Sequence, residues 1–240
     1  MYHPTVARLT YRGLLGRRRA LILFVLPALL IGISAAVRVL NGADDQVAAD
    51  LLGGFALATM VPLIGVIAGT GAIGPEIDDG SIVYLLAKPV KRSEIIFTKL
   101  IVAIAVTMVF SAVPTLIAGL VLNGNGRQIA VAYTVAALVA SIAYSALFLL
   151  LGTISRHAVV LGLVYALVWE NLFGGLISGA RTLSVQQWAL AVADEVSQSE
   201  GFVSSDVTLS VSVTLLTVVT TAATWYAARK LRTLTPASEE

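Results

Sequence analysis

The 240-residue sequence has no cysteine, only two histidines, and charged residues at just 12% of the chain. Without cysteine there are no disulfides, no thiolate metal sites and no thiol nucleophile, and the redox compartment leaves no mark. His3 and His157 stand too far apart to begin a histidine metal cluster. Soluble domains are about a quarter charged, so this chain carries about half the usual share. Catalytic signatures are missing too. No G-x-x-x-x-G-K-[S/T] occurs, so no P-loop can cradle nucleotide phosphates, and neither H-E-x-x-H nor G-x-S-x-G is present. The chain itself is therefore expected to be no enzyme and to hold no metal or cofactor, and nothing suggests a nucleic-acid partner.

What is present is apolar. Hydrophobic residues make up 58% of the chain and the mean hydropathy is +0.89. Six long apolar runs stand out: Ala20 to Val39, Leu51 to Gly74, Leu100 to Leu122, Ile129 to Ile154, Ala158 to Ile177 and Val207 to Ala228. Each is near or above the ~20 residues needed to cross ~30 Å of hydrocarbon. Backbone groups find no water partner there, so helix is expected. Barrel strands would alternate polar and apolar over ~10 residues, and these runs do not. The first run follows Arg17, Arg18 and Arg19 and so imitates a secretory signal. At about 20 residues it exceeds a signal's apolar core, and no small-x-small site precedes a soluble domain, so it reads as a retained span.

Lys and Arg set the orientation. Thirteen of the sixteen fall on the side that holds both termini, the second-to-third connection and the fourth-to-fifth. The other side has Arg38, Arg127 and Arg181 against seven acidic residues. Both ends are expected in the cytoplasm.

Two stretches are not simple spans. Residues 2–19 suit an interfacial helix, with Tyr2, Val6, Leu9 and Gly13 on one face and Arg8 and Arg12 on the other. Amphipathic, Arg-rich helices beside a span lie in the headgroup layer and favour anionic lipid. Pro4 suits a first helical turn; the bland reading is a frayed basic tail. The connection Pro75 to Lys99 opens acidic with Glu76, Asp78 and Asp79. It then passes through a short apolar helix candidate, Ser81 to Ala87, breaks at Pro89 and continues basic. Seven apolar-rich residues are too few to span and too greasy for an ordinary loop. Such a helix can plug a groove on a cytoplasmic partner, or pack against the chain's own helix ends.

Glu76, then Asp79-Gly80-Ser81, then Leu85-Leu86-Ala87-Lys88-Pro89-Val90, Arg92, Glu94-Ile95-Ile96 and Lys99 resemble the cytoplasmic signature of type-2 ABC exporter permeases. The resemblance covers the chain: an amphipathic elbow helix, six spans, a coupling helix between spans two and three, and short extracellular or re-entrant helices between spans five and six. It implies a single all-α membrane domain, with an elbow at 2–19, a coupling region at 75–99, an extracellular segment at 178–206 and a cytoplasmic tail at 229–240. It also implies a homodimer carrying two ABC ATPase subunits, which bind ATP and Mg, in a bacterial inner membrane. Under that resemblance Glu76, Asp79, Gly80, Ser81, Tyr84, Leu85, Leu86, Lys88, Pro89 and Arg92 belong to ATPase coupling. Arg8, Arg12, Arg17, Arg18 and Arg19 face lipid from the elbow. Members move drugs, antibiotics, lipids, peptides, polysaccharides and ions, and a small amphipathic or lipid-like substrate suits this apolar wall.

Gly69-Thr70-Gly71-Ala72-Ile73-Gly74 spells a dinucleotide fingerprint but ends a membrane span, where no βαβ unit surrounds it. Its glycines, like Gly65-x-x-x-Gly69 and Gly175-x-x-x-Gly179, fit close helix packing instead. Glu170 is the one charge placed inside the fifth span, followed by Asn171. An intramembrane charge is costly unless paired or hydrated, so both are candidates for a translocation path; the bland reading has Glu170 at the outer interface. An ATP-independent carrier or an intramembrane enzyme built on Glu170 and His157 is the competing class. Carriers usually show internal repeats, none is evident here, and thirteen residues of helix, about 20 Å, separate His157 from Glu170.

Overall fold

A computed structural model describes residues 3–82, 91–124, 128–173, 182–197, 203 and 205–233, and every regular element among them is helical. Helix α1, Pro4–Leu14, takes Pro4 at its first turn, where the missing N–H costs nothing. Val6, Ala7, Thr10 and Leu14 form its buried face, while Leu9 is 55% exposed and Gly13 is exposed. This corrects the expected apolar stripe through Leu9 and Gly13. The face rotates because Thr10 turns inward toward a buried lysine, described below. Arg8 and Arg12 remain on the exposed side.

Helix α2, Arg17–Asn41, ends where Gly42 adopts φ +74°, a left-handed conformation that glycine accepts without strain. The second run begins earlier than its apolar letters. Asp44 caps α3, Asp45–Leu51, by accepting from the Gln46 and Val47 N–H groups. Residues expected in a polar loop thus wind the first turns of a long rod. A π-helical stretch, Leu52–Met60, follows, then α4, Val61–Gly71, and the short α5, Gly74–Asp78. Pro62 lacks a donor at the start of α4, and the wider turns before it accommodate that gap.

Helix α6, Arg92–Asn123, is a single rod capped by the left-handed Gly124 that follows it. Helix α7, Ile129–Ile154, runs back beside it. Then come α8, Ala158–Val164, a second π-helical stretch, Tyr165–Phe173, the helix α9, Val185–Val196, and finally α10, Leu209–Thr233. Five helical rods are long and apolar enough to cross a membrane among the described residues; Ala158–Glu170 is a shorter apolar helix. The rest of the expected fifth span, 174–177, lies outside the described residues.

Helix α7 is the centre of the bundle, contacting α4, α6, α8, α9 and α10. Its sequence explains this. Ala136, Ala137, Ala140 and Ala143 are fully buried and let neighbours approach closely. Glycine on the facing helix completes the contact: a Cβ on Gly65 would lie 2.9 Å from Tyr144 Cβ, and one on Gly69 would lie 2.7 Å from Phe148 Cβ. The Gly65-x-x-x-Gly69 pair therefore packs α4 on α7 within one chain; Gly175 and Gly179 are outside the described residues. Between α6 and α7 runs a polar seam. Ser111 and Ser141 hydroxyls meet at 3.0 Å, and the Ser145 hydroxyl donates to Thr107 Oγ1 at 3.1 Å. With no water in hydrocarbon, such bonds hold helices together where apolar burial gives no net drive. Helices α2 and α10 are peripheral: only 22% of each apolar window is buried, against 61% for α7.

Candidate functional site

The expected coupling segment is reached through α4 and α5. Its first part is described and its core is not: Tyr84, Leu85, Leu86, Lys88 and Pro89 lie outside the described residues. At its near edge Gly80 takes φ +72°. Asp79 Oδ1 accepts the Ser81 N–H at 3.0 Å. Hydrogen bonding from the Ser81 side chain first, and from its backbone N–H second, holds the exposed Asp79 carboxyl below its ordinary range. Asp79-Gly80-Ser81 is thus a local turn that redirects the chain after α5. Ile82 then turns inward, 7% exposed, into an apolar cluster with Val6, Ile73, Ile95, Ile96, Leu100 and Leu231.

Close to this turn in sequence stands an ion pair with one member buried. Lys99 is fully buried, and its Nζ donates to Glu76 Oε1 at 2.6 Å and to the Ala72 carbonyl at 2.6 Å. Thr10 Oγ1 stands 3.4 Å from the same ammonium, and the Thr98 hydroxyl accepts from the His3 backbone N–H at 3.1 Å. One cation therefore joins three pieces of chain: α1, the α4–α5 junction and α6. Charge–charge attraction is strong where water is excluded, and an ammonium left alone there would carry a large desolvation cost. On the far edge, Arg92 Nη1 donates to the Leu231 and Arg232 carbonyls, both at 2.9 Å. Both carbonyls belong to the last described turn of α10, where a cationic side chain complements the helix dipole. The undescribed coupling core is thus flanked by two anchored ends, Glu76–Lys99 before it and Arg92 after it.

Glu170 is separate from this cluster. It is 2% exposed on the π-helical stretch, where its Oε1 accepts from the Tyr165 hydroxyl at 3.0 Å and the Val185 N–H at 3.1 Å. Its Oε2 takes the Ser184 hydroxyl. Ser184 is the N-cap of α9 and also accepts from the Gln187 N–H. The carboxylate therefore sits at the positive end of α9, satisfied by neutral donors and a helix terminus. Of Asn171, beside it, only the helical backbone is described. Arg8 and Arg12 line the exposed side of α1, and Arg17, Arg18 and Arg19 form the first turn of α2.

Sequence reading gives no role to Thr10, Tyr165 or Ser184, and it places Lys99 only at the end of the coupling region, without its partner. A signal was present, because a lone cation eight residues into an otherwise apolar helix needs a partner, and Glu76 is a nearby acid. Ser184 carried only the weak signal of any serine before a helix.

A helical bundle with several apolar membrane-crossing rods, polar seams inside and charges paired at buried positions defines a multi-pass membrane protein. Residues 17–227 match the model for the ABC-2 family transporter protein, and the chain belongs to that family. It is a membrane permease component of an ABC transporter, a transport subunit that is not itself catalytic and that works with an ABC ATPase. No curated protein matched the chain.

Proposed function

We propose that this chain is the permease subunit of an ATP-driven exporter, moving a small amphipathic or lipid-like molecule such as a drug or antibiotic across a bacterial inner membrane. Two copies form a homodimer with six spans each and both termini in the cytoplasm. Two separate ATPase subunits hold ATP and Mg. The Ser81 to Lys88 stretch seats in an ATPase groove through Leu85 and Leu86, with α1 as the flanking elbow.

The observation that supports this reading most directly is the Lys99 cluster. Glu76 is five residues before Ser81, and its carboxylate is clamped to a lysine that also touches α1 and belongs to α6. A push on the coupling segment is therefore delivered to three elements at once, which is what a chain driven from outside the membrane requires. Glu170 speaks less for a carrier or an intramembrane acid. Both its oxygens are taken by Tyr165, Ser184 and Val185 in a capping arrangement.

The test is co-purification of the full-length permease with its ATPase subunit. Leu85→Asp and Leu86→Asp should each abolish recovery of the ATPase while the permease stays monodisperse in detergent. Undiminished recovery with both substitutions present would remove the coupling segment from the mechanism.

A further inference from the structure

A groove lies between α1, α2 and α6, and Glu170 does not line it. It measures about 700 Å³, within the span of about 300–1,000 Å³ common for small-molecule sites. Its two sides differ in chemistry. The floor is apolar: Val102, Ala105, Val106 and Val109 of α6, with Phe24 of α2 set edge-on to Phe110, ring centroids 4.9 Å apart. From Ile101 to Phe110 that floor follows nine residues of helix, about 13 Å. The wall formed by α1 is mixed, with Pro4, Ala7, Arg8 and Tyr11.

Arg8 lines the groove, and Arg12 stands one turn further along α1. Arg8 and Arg12 are exposed, and neither has an ion-pair partner among the described residues. Arg17, Arg18 and Arg19 follow in sequence, and no acidic residue precedes Asp44. An exposed arginine on one wall of an apolar groove, in a membrane-embedded chain, matches one kind of molecule: an anionic head joined to a hydrocarbon tail. The buried lysine nearby does not compete, because Lys99 is already neutralised by Glu76.

We propose that this groove is a binding site for one anionic phospholipid. An acyl chain lies along α6 from Ile101 toward Phe110, and the headgroup phosphate is held by the Arg8 guanidinium with the Tyr11 hydroxyl beside it. Guanidinium matches phosphate in shape as well as charge, which distinguishes this site from general attraction to a negative surface. Seated there, the lipid wedges α1 against α6 and supports the side of α1 that carries Thr10 to Lys99. The inference depends on membrane insertion but not on the exporter reading.

Native mass spectrometry of the full-length protein in neutral detergent tests it, titrating phosphatidylglycerol against phosphatidylcholine of the same acyl chains. One phosphatidylglycerol per chain should be retained at concentrations about tenfold below those needed for phosphatidylcholine. Arg8→Gln should remove that preference and Arg12→Gln should leave most of it. Ala105→Trp, at an exposed lining position, should weaken both lipids about fivefold by filling the trough; Val109→Trp serves as a second filling variant should the first fail to fold. Equal retention of the two lipids would overturn the proposal. So would equal losses from Arg8→Gln and Arg12→Gln, which would mean a diffuse basic surface. Displacement of the lipid by inorganic phosphate alone, or lipid retained only on monomers and excluded from dimers, would assign the groove to a headgroup site or to a second copy of the chain and overturn it as well.

Discussion

Two carboxylates in this protein, one half-buried and one buried, are stabilised in opposite ways. Glu76 meets a full positive charge, the Lys99 ammonium, at 2.6 Å. Glu170 accepts instead from neutral donors, a phenol, a serine hydroxyl and a backbone N–H at the start of α9. The first arrangement is a clamp between distant segments, since residues 10, 76 and 99 come from three separate elements. The second is a cap, local to the junction of the π-helical stretch with α9. A clamp depends on charge at both ends. A cap depends on lone pairs and survives loss of charge better. Substitutions that remove charge but keep shape separate the two.

The largest effect should come from Glu76→Ala. It strands a fully buried ammonium with only the Ala72 carbonyl and Thr10 for company. Breaking a buried pair from one side costs about 3–5 kcal/mol, and the 30% exposure of Glu76 argues for the lower end. The apparent unfolding midpoint in detergent, followed by thermal size-exclusion, should fall accordingly. Lys99→Met should cost much less, because Glu76 can turn to water. The double variant Glu76→Gln with Lys99→Met should recover most of the loss. A double-mutant cycle with no coupling between the two sites would erase the clamp.

Glu170→Ala should follow, at about 2–3 kcal/mol, since a charged acceptor with several donors is lost and the start of α9 is left unsatisfied. The comparison sharpens on the conservative change. Glu170→Gln should retain most of the stability, because an amide oxygen still accepts from Val185 and the Ser184 hydroxyl can reverse its role. Glu76→Gln should not, because Lys99 then lacks its counter-charge. Equal costs for the two Gln variants would mean that Glu170 also depends on its charge.

Between the two carboxylates runs the α4–α7 contact, and Gly69 is its tightest point. Gly69→Ala places a Cβ 2.7 Å from Phe148 Cβ and 3.0 Å from the Leu149 backbone nitrogen, so a helix must move. Overpacking of this kind costs about 1–3 kcal/mol. Because α4 leads to Glu76, the shift should also lower the Glu76–Lys99 coupling energy in the same cycle. A control, Gly54→Ala, meets nothing within 4 Å and should be close to silent.

Much of this bundle could be read from letters. Runs of about 20 apolar residues force helix in hydrocarbon regardless of partners, so the rods through Arg17–Asn41, Ile129–Ile154 and Leu209–Thr233 follow from composition alone. Pairing did not follow. The face of α1 was misjudged because Leu9 is apolar and Thr10 is not, yet Thr10 is buried at 4% and Leu9 is 55% exposed. In a membrane an exposed leucine costs nothing, so hydrophobicity ceases to mark the inner face, and the polar residue marks it instead. The same inversion hid Lys99. Glu170 stood out as a lone charge, but its partner was a serine fourteen residues away, a separation that sequence periodicity does not encode.

The smallest expected effect is at Ser184, and it discriminates between a cap and a charge. Ser184 gives its hydroxyl proton to Glu170 and accepts from the Gln187 N–H at 3.4 Å, so it links the carboxylate to the first turn of α9. Ser184→Ala removes one donor from Glu170 and one acceptor from the helix, a loss of about 1 kcal/mol. Ser184→Thr keeps the hydroxyl and should behave like the parent. Combining Ser184→Ala with Glu170→Gln should cost less than the two separately, because both changes act on the same hydrogen bond, which one reverses and the other removes. At Glu76 the departure from additivity is larger, because adding Lys99→Met to Glu76→Gln should recover most of the loss. A cap shared by two neutral-tolerant groups and a clamp between two charges thus leave different signatures in the same detergent-midpoint measurement. Strict additivity at Ser184 and Glu170 would show that the carboxylate holds α9 through Val185 and Tyr165 alone.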